Sequence, residues 1–493
     1  MTDPTPTGSK SKAVEPKSSG SKTISQRPSL MNISPSKVPS KVASKVMSVV
    51  DVSKDAIMSP LKKLTGKEEE EEYDPHKHRN VPNPTTYMQT MTHMLKACFG
   101  TGMLAVPHAF SRLGIIFGTL FCIFLGFFAA YCIQLLILAM YQVAKKKKVG
   151  YLTYPKTMRV ALKDGPPCMR WTAVPFALSV DTFLLLWQFG VCTVFLVFVA
   201  ENINKVLNIC GVFWSLRVII CCLYPPLFLM SMPKNLKLLA PLSTFSNACN
   251  MFGICLVFYY LIHDDLEIDE EVFKLKSLMD IPVFIGIVLY AIEAVAVILA
   301  LEYNMQNPKE FTGWCGLFSI GMVIIVAIYT SLGVFGYLRY GMDVKASITL
   351  NLPISDKKAL VAVSAFAATI FTSYPLQNYV AWEISYNIIQ NKVSPANRKT
   401  ADYALRALCS TFPFVLAVAA PTLGPFIGLI GSLCLTTGAI LLPAVLDLSV
   451  FYPDKYGPLN YKLFTDILII IFSGFCCFSG CYVSLLEMVE SLK

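Results

Sequence analysis

From Tyr87 onward the chain alternates long apolar stretches with short polar ones. About eleven windows of about 20 mostly apolar residues can be drawn, near 87–110, 114–141, 174–200, 216–232, 238–262, 282–301, 314–337, 360–389, 405–420, 425–450 and 465–486. Windows of this kind suit helices that cross a hydrocarbon core, and together they predict an all-α polytopic membrane protein. The eighth is long enough to tilt or to extend beyond the membrane. The first is interrupted near its middle by Gly100-Thr101-Gly102, with Pro107 beyond. Each glycine weakens a helix by about 1 kcal/mol, and the proline removes a backbone donor. Broken backbone at membrane depth persists only where it is buried in protein or lines a cavity. Its freed N–H and C=O groups can hold a polar solute or an ion, so the interruption predicts a binding site of the kind secondary transporters use.

The pattern before this is different. Residues 1–82 are rich in Ser, Lys and Pro and include the acidic run Glu68 to Glu72. They contain too little apolar surface to offset chain entropy, which predicts a disordered tail ahead of a membrane domain over 83–493. Ser34-Pro35 and Ser59-Pro60 make the tail a candidate surface for phosphorylation and signalling partners, beside its plainer reading as a solvated extension. No apolar signal-peptide core is visible in it.

Composition agrees with the membrane assignment: 54% of the 493 residues are hydrophobic and 15% charged, against about 25% charged in soluble domains. The loop after the second window carries Lys145 to Lys148, Lys156, Arg159, Lys163 and Arg170, whereas the loop after the fifth carries Asp264, Asp265, Glu267, Asp269, Glu270 and Glu271. By the positive-inside rule the basic loop and the N-terminal tail are cytosolic. Eleven crossings then put the C-terminus on the extracellular or lumenal side. The net charge of +10 belongs mostly to the tail and loops, where anionic lipid is its partner, and nucleic acid is not implied. Most of the 16 cysteines lie in apolar windows, where they act as small apolar residues, and no spacing resembles a metal site.

Ionisable groups inside apolar windows are candidates for function. His93, Lys96 and Gly100 share one helix face. His93 reads either as a proton-titrating group or as a hydrogen-bonding histidine in a packed bundle; Lys96 reads as a snorkelling residue near one end. In the sixth window, Ile292-Glu293-Ala294 puts a carboxylate about halfway across, suited to proton coupling or to hydrogen-bonding a neighbour. Glu302 reads as structural, His108 as a surface residue, and Asp447 as a boundary residue. Asp181 lies early in the third window. Gln188 and the polar break Ser373-Tyr374-Pro375-Leu376-Gln377 are cavity candidates, the second also a plain kink. No nucleophile elbow, phosphate-binding glycine loop or metal-binding histidine pair is present, so neither an enzyme nor a cofactor is expected.

Several ordered motifs resemble the proton-coupled amino-acid transporter family of animals, within the amino acid/auxin permease superfamily. They are Asn83-Pro84-Thr85-Thr86, His93-Met94-Leu95-Lys96 leading to Gly100-Thr101-Gly102-Met103-Leu104, Gln188-Phe189-Gly190, Ala200-Glu201-Asn202, Gly336-Tyr337-Leu338-Arg339-Tyr340-Gly341, Ser347 to Pro353, Ser373 to Gln377 and Pro425-Phe426-Ile427-Gly428. The resemblance covers about 83–486. It implies a LeuT-like fold, two inverted repeats of five helices plus one, with the first and sixth helices broken at mid-membrane. It also implies small neutral amino acids as substrates, often moved with a proton. Gly100, Thr101, Gly102, Ile292 and Ala294 are then the expected substrate-binding residues, and Glu293 and His93 the proton-coupling ones. Where the family usually has Gly and Pro after the glutamate, this chain has Ala296 and Ala300, which favour continuous helix. Ile354 and Ser355 follow the Leu-Asn-Leu-Pro motif where some relatives have a cysteine, so Cys210 is expected to stay unpaired. The leading reading is alternating-access transport across the plasma or late endosomal/lysosomal membrane, proton-coupled or facilitative. The alternative is an amino-acid sensor with little flux.

Overall fold

A computed structural model describes residues 73–233, 240–263, 270–292, 295–353, 356–390, 393–453 and 456–492. The described residues are helical, joined by turns and short loops. α1 (Tyr87–Cys98) and α2 (Thr101–Leu113) are followed by α3 (Ile115–Lys147), α4 (Tyr154–Asp164) and α5 (Ala173–Ile209). Then come α6 (Leu216–Ser231), α7 (Ala240–Ile262), α8 (Ile281–Ile292), α9 (Val295–Asn304), α10 (Leu317–Tyr340) and α11 (Lys357–Ile389). The last are α12 (Arg398–Ala419), α13 (Leu423–Ile430), a π-helical segment Gly431–Leu441, α14 (Leu442–Val450) and α15 (Tyr461–Leu492).

Among the described residues, eight helical stretches are long and apolar enough to cross a membrane, and α6 and the apolar part of α7 are shorter. The element order follows the expected pattern. The first apolar segment is divided into α1 and α2; α8 and α9 lie in the sixth, with residues 293 and 294 between them outside the described residues.

α2 and α8 are apolar on nearly every side and buried on nearly every side, as helices hydrophobic all round must be. They form the centre, packed on each other, with α10 against α2 and the π segment against α8. α3, α5, α11 and α15 surround them and present exposed Phe, Leu, Ile and Val. α1 is started by a capping box between Thr86 and Gln89. α2 is stopped by Gly114, whose φ of +80° and whose approach to the Lys274 carbonyl, 2.4 Å from where a Cβ would sit, leave room for no other residue.

The tail expected through residue 82 is folded onto the helices from Tyr73. Pro75–His78 is a short 3-10 turn with Asp74 as its cap, and residues 74–85 are held by side chains far along the chain. Those long-range partners, invisible to local composition, are why that part of the expectation gives way. Residues 1–72 lie outside the described chain, and with them both Ser-Pro pairs.

Candidate functional site

The interruption of the first apolar segment is a real gap in the helix. α1 ends at Cys98, Phe99 has φ −81° and ψ 80°, Gly100 is extended, and α2 begins at Thr101. The Gly100 N–H turns back to the Cys98 carbonyl at 3.0 Å. The carbonyls released here are met by side chains from other helices. The Asn250 amide on α7 donates to the Phe99 carbonyl, and the Tyr329 hydroxyl on α10 contacts the Cys98 carbonyl.

The three residues of the interruption face different surroundings. A Cβ on Gly100 would meet nothing within 4 Å, so Gly100 borders open space. Thr101 is 3% exposed, and its hydroxyl lies 3.2 Å from the Tyr290 hydroxyl; the Tyr290 ring in turn leans on Trp187, with centroids 5.2 Å apart. Gly102 faces α8, where a Cβ would sit 2.6 Å from the Ala291 Cα. Its lack of a side chain lets two backbones touch.

Ile292 of α8 is fully buried, with its carbonyl 3.9 Å from the Cys98 sulfur. The Ala291 carbonyl lies 3.1 Å from the Tyr329 hydroxyl. One buried tyrosine therefore contacts carbonyls of both α1 and α8. Glu293 and Ala294 lie outside the described residues, and α9 begins at Val295, so Ala296 and Ala300 are both helical.

Other predicted residues are distributed as follows. His93 and Lys96 are exposed on α1. His108, expected at the surface, is partly buried: it is wedged towards α13, where a Cβ on Gly424 would come within 3.2 Å of its Nε2. The reason is that α2, which carries it, runs through the protein centre. Gln188 and Gln377 meet, Nε2 to Oε1, at 3.2 Å, and α11 runs continuously through Pro375. Asp181 is partly buried. Asp447, read as a boundary residue, is 4% exposed, and Asp466 is 1% exposed.

Tyr329, Tyr290, Trp187 and Asn250 were not legible as site residues. An asparagine within an apolar window is the one available signal. A tyrosine or tryptophan there is indistinguishable from core. A separate cavity of about 450 Å³ lies between the ends of α7 and α10, lined by Tyr259, Tyr260, His263, Arg339, Asn351 and Asp356 among others. No residue of the interruption lines it.

Where α3 and α9 end, the segment before α1 is strapped down. Arg79 Nη2 is 2.7 Å from Glu302 Oε1, and its Nη1 donates to the Glu302 carbonyl at 3.1 Å. The guanidinium sits 5.9 and 5.7 Å from the Tyr151 and Tyr303 ring centres. Thr85 N–H donates to the Asn304 carbonyl at 2.8 Å, and Gln306 N–H to the Thr85 carbonyl at 2.9 Å. Lys309 Nζ pairs with Asp74 at 2.7 Å, and His76 stacks on Tyr141 at 4.7 Å. Burial, helped by the nearby Arg79 charge, lowers the His76 pKa to about 4. At Asp74 burial pushes the carboxyl up, but Lys309 and the His76 N–H overcome it and leave it below its ordinary value. Glu302 thus has the structural role its position suggested.

An interrupted helix at the centre of an all-α polytopic bundle, with Gly100 bordering open space, is the architecture of a membrane carrier. A family model described as transmembrane amino acid transporter protein matches residues 83–486, and the chain belongs to that family. It is 36% identical over 402 residues to the proton-coupled amino acid transporter-like protein pathetic of Drosophila melanogaster, covering 81% of this chain and 84% of that one. It is 22% identical over 435 residues to a Caenorhabditis elegans protein named probable amino acid transporter skat-1, covering 85% and 93%. Among solved structures it is similar to Mhp1, a nucleobase-cation-symport-1 family transporter, in a closed conformation with bromovinylhydantoin bound. The TM-score is 0.46 at 12% identity, over 86% of this chain and 94% of that one. Family and relatives are transporters, not enzymes.

Proposed function

We propose that this protein is a secondary transporter of small neutral amino acids, working by alternating access and coupled to protons. The observation that carries the reading is the open space at Gly100, where the N-terminus of α2 meets the C-terminus of α1. The first N–H groups of α2 have no partners within their own helix and carry the positive end of its dipole, which suits a substrate carboxylate. The Phe99 carbonyl, which accepts once from Asn250, has a second lone pair that suits an ammonium group. A zwitterion fits both ends at once, and the nearby Thr101, Tyr290 and Trp187 leave a small side chain favoured. Gly100, Thr101, Gly102, Ile292 and Ala294 are the proposed substrate-binding residues, with Gly102 acting through the α8 contact.

Proton coupling is supported by the name of the fruit-fly relative and by the sequence position of Glu293; His93 is the second candidate. The proposed topology has eleven crossings, a cytosolic N-terminus and an extracellular or lumenal C-terminus, in the plasma or a late endosomal/lysosomal membrane. Uptake of radiolabelled alanine, glycine and proline into oocytes with confirmed surface expression tests this. The expected result is uptake that rises at acid pH and is lost in Gly100→Trp. Binding of an amino acid with no uptake would overturn it in favour of a sensor.

A further inference from the structure

The geometry points to a binding surface for anionic phospholipid headgroups on α4. This inference is independent of the transported substrate. One face of α4, with Tyr154, Thr157, Met158, Ala161 and Leu162, is buried against its neighbours α5, α14 and α3. The other exposes Lys156, Arg159 and Lys163, spaced three and four apart so that they line one stripe. Among the described residues no carboxylate pairs with these three. Asp164, the acid beside them, is 2.9 Å from Lys147 and 3.7 Å from Lys146 of α3, and that pairing holds its carboxyl below the ordinary range.

The membrane level is marked independently. α4 packs on the turn Pro167–Thr172, which carries exposed Arg170 and Trp171. Trp171 is 78% exposed, and on the first turns of α5 Val174 and Leu178 are 54% and 55% exposed. Exposed apolar residues three and four apart on a spanning helix face lipid tails, and a tryptophan at the end of such a stripe sits at headgroup level. These cations of α4, which no described carboxylate pairs, are therefore held beside the phosphate layer by the folded protein. A phosphate-bearing lipid of net negative charge complements them, whereas a zwitterionic one brings its own cation.

The test uses the full-length protein in uncharged detergent, titrated with short-chain phosphatidylglycerol, with short-chain phosphatidylcholine and with free glycerol phosphate, and bound lipid is counted by native mass spectrometry. An exposed cation paired with a headgroup phosphate contributes up to about fivefold in affinity. The triple variant K156Q/R159Q/K163Q is thus expected to bind phosphatidylglycerol more weakly than wild type, by up to about a hundredfold. The charge-preserving K156R/R159K/K163R is expected to bind normally. An unchanged affinity in the triple glutamine variant overturns the proposal. So does equal binding of phosphatidylcholine, or binding of glycerol phosphate as tight as that of the lipid. If the glutamine variant loses its cooperative melt, single substitutions that melt normally must each bind more weakly, by up to about fivefold, and their failure to do so overturns it equally.

Discussion

At Gly102 the space for one methyl group is missing. A Cβ would lie 2.6 Å from the Ala291 Cα, and the obstacle is backbone, which cannot rotate away. Gly102→Ala is expected to separate α2 from α8 and cost about 1–3 kcal/mol, read as a lower melting temperature of purified protein. Gly100→Ala is the contrasting case: its Cβ enters open space and its backbone is extended. It is expected to melt like wild type but to raise the KM for amino-acid uptake several-fold. Equal melting temperatures for the two variants would contradict this division of roles. Tyr329 makes a third case, since its hydroxyl lies at the carbonyls of both Cys98 on α1 and Ala291 on α8. Tyr329→Phe removes the one O–H that the two carbonyls share, a loss of about 1–3 kcal/mol, measurable by thermal melting. The glycines were legible in the sequence because they break a helical pattern locally. Their separate duties were not, since each depends on what another helix places opposite.

Among the elements, local signals succeeded where the chain acts alone. The first interruption falls where the glycines put it. Two elements were not legible. The π segment Gly431–Leu441 sits within an apolar run that reads as plain helix; its Gly438 carbonyl accepts from the Tyr154 hydroxyl of α4 at 3.1 Å, a partner distant in sequence. The strap over residues 74–85 reads as polar tail until Arg79 finds Glu302. That pair is buried, with side chains 8% and 5% exposed, so removing one partner leaves an uncompensated charge. Glu302→Ala is expected to cost about 3–5 kcal/mol, seen as early proteolysis of the segment before α1. The strap also has a pH dependence. His76 has its folded pKa lowered from 6.5 to about 4 by burial and by Arg79, so the folded state favours the neutral ring. Its contribution is complete above 6.5 and is lost progressively as pH falls towards 4. Asp74, lowered from 3.8, adds a loss below that value. Hydrogen exchange of residues 74–85 is expected to accelerate over the window from 6.5 to 4, and His76→Gln to remove that acceleration. Exchange independent of pH, once corrected for intrinsic rates, would contradict it.

For the whole molecule, the all-α membrane character and the family were readable from apolar length and from motifs in order. The centre was not, because α2 and α8 meet through backbone contact at Gly102, and the Tyr329 hydroxyl joins α8 to α1. Neither contact leaves a periodic trace in the sequence. The most direct test of the account is radiolabelled amino-acid uptake into oocytes at acidic and neutral pH, comparing wild type, Gly100→Ala and Glu293→Gln at matched surface expression. The account predicts acid-stimulated uptake in wild type, a raised KM in Gly100→Ala, and uptake without acid stimulation or no uptake in Glu293→Gln. Wild-type protein at the surface that binds amino acids but moves none would contradict its central claim.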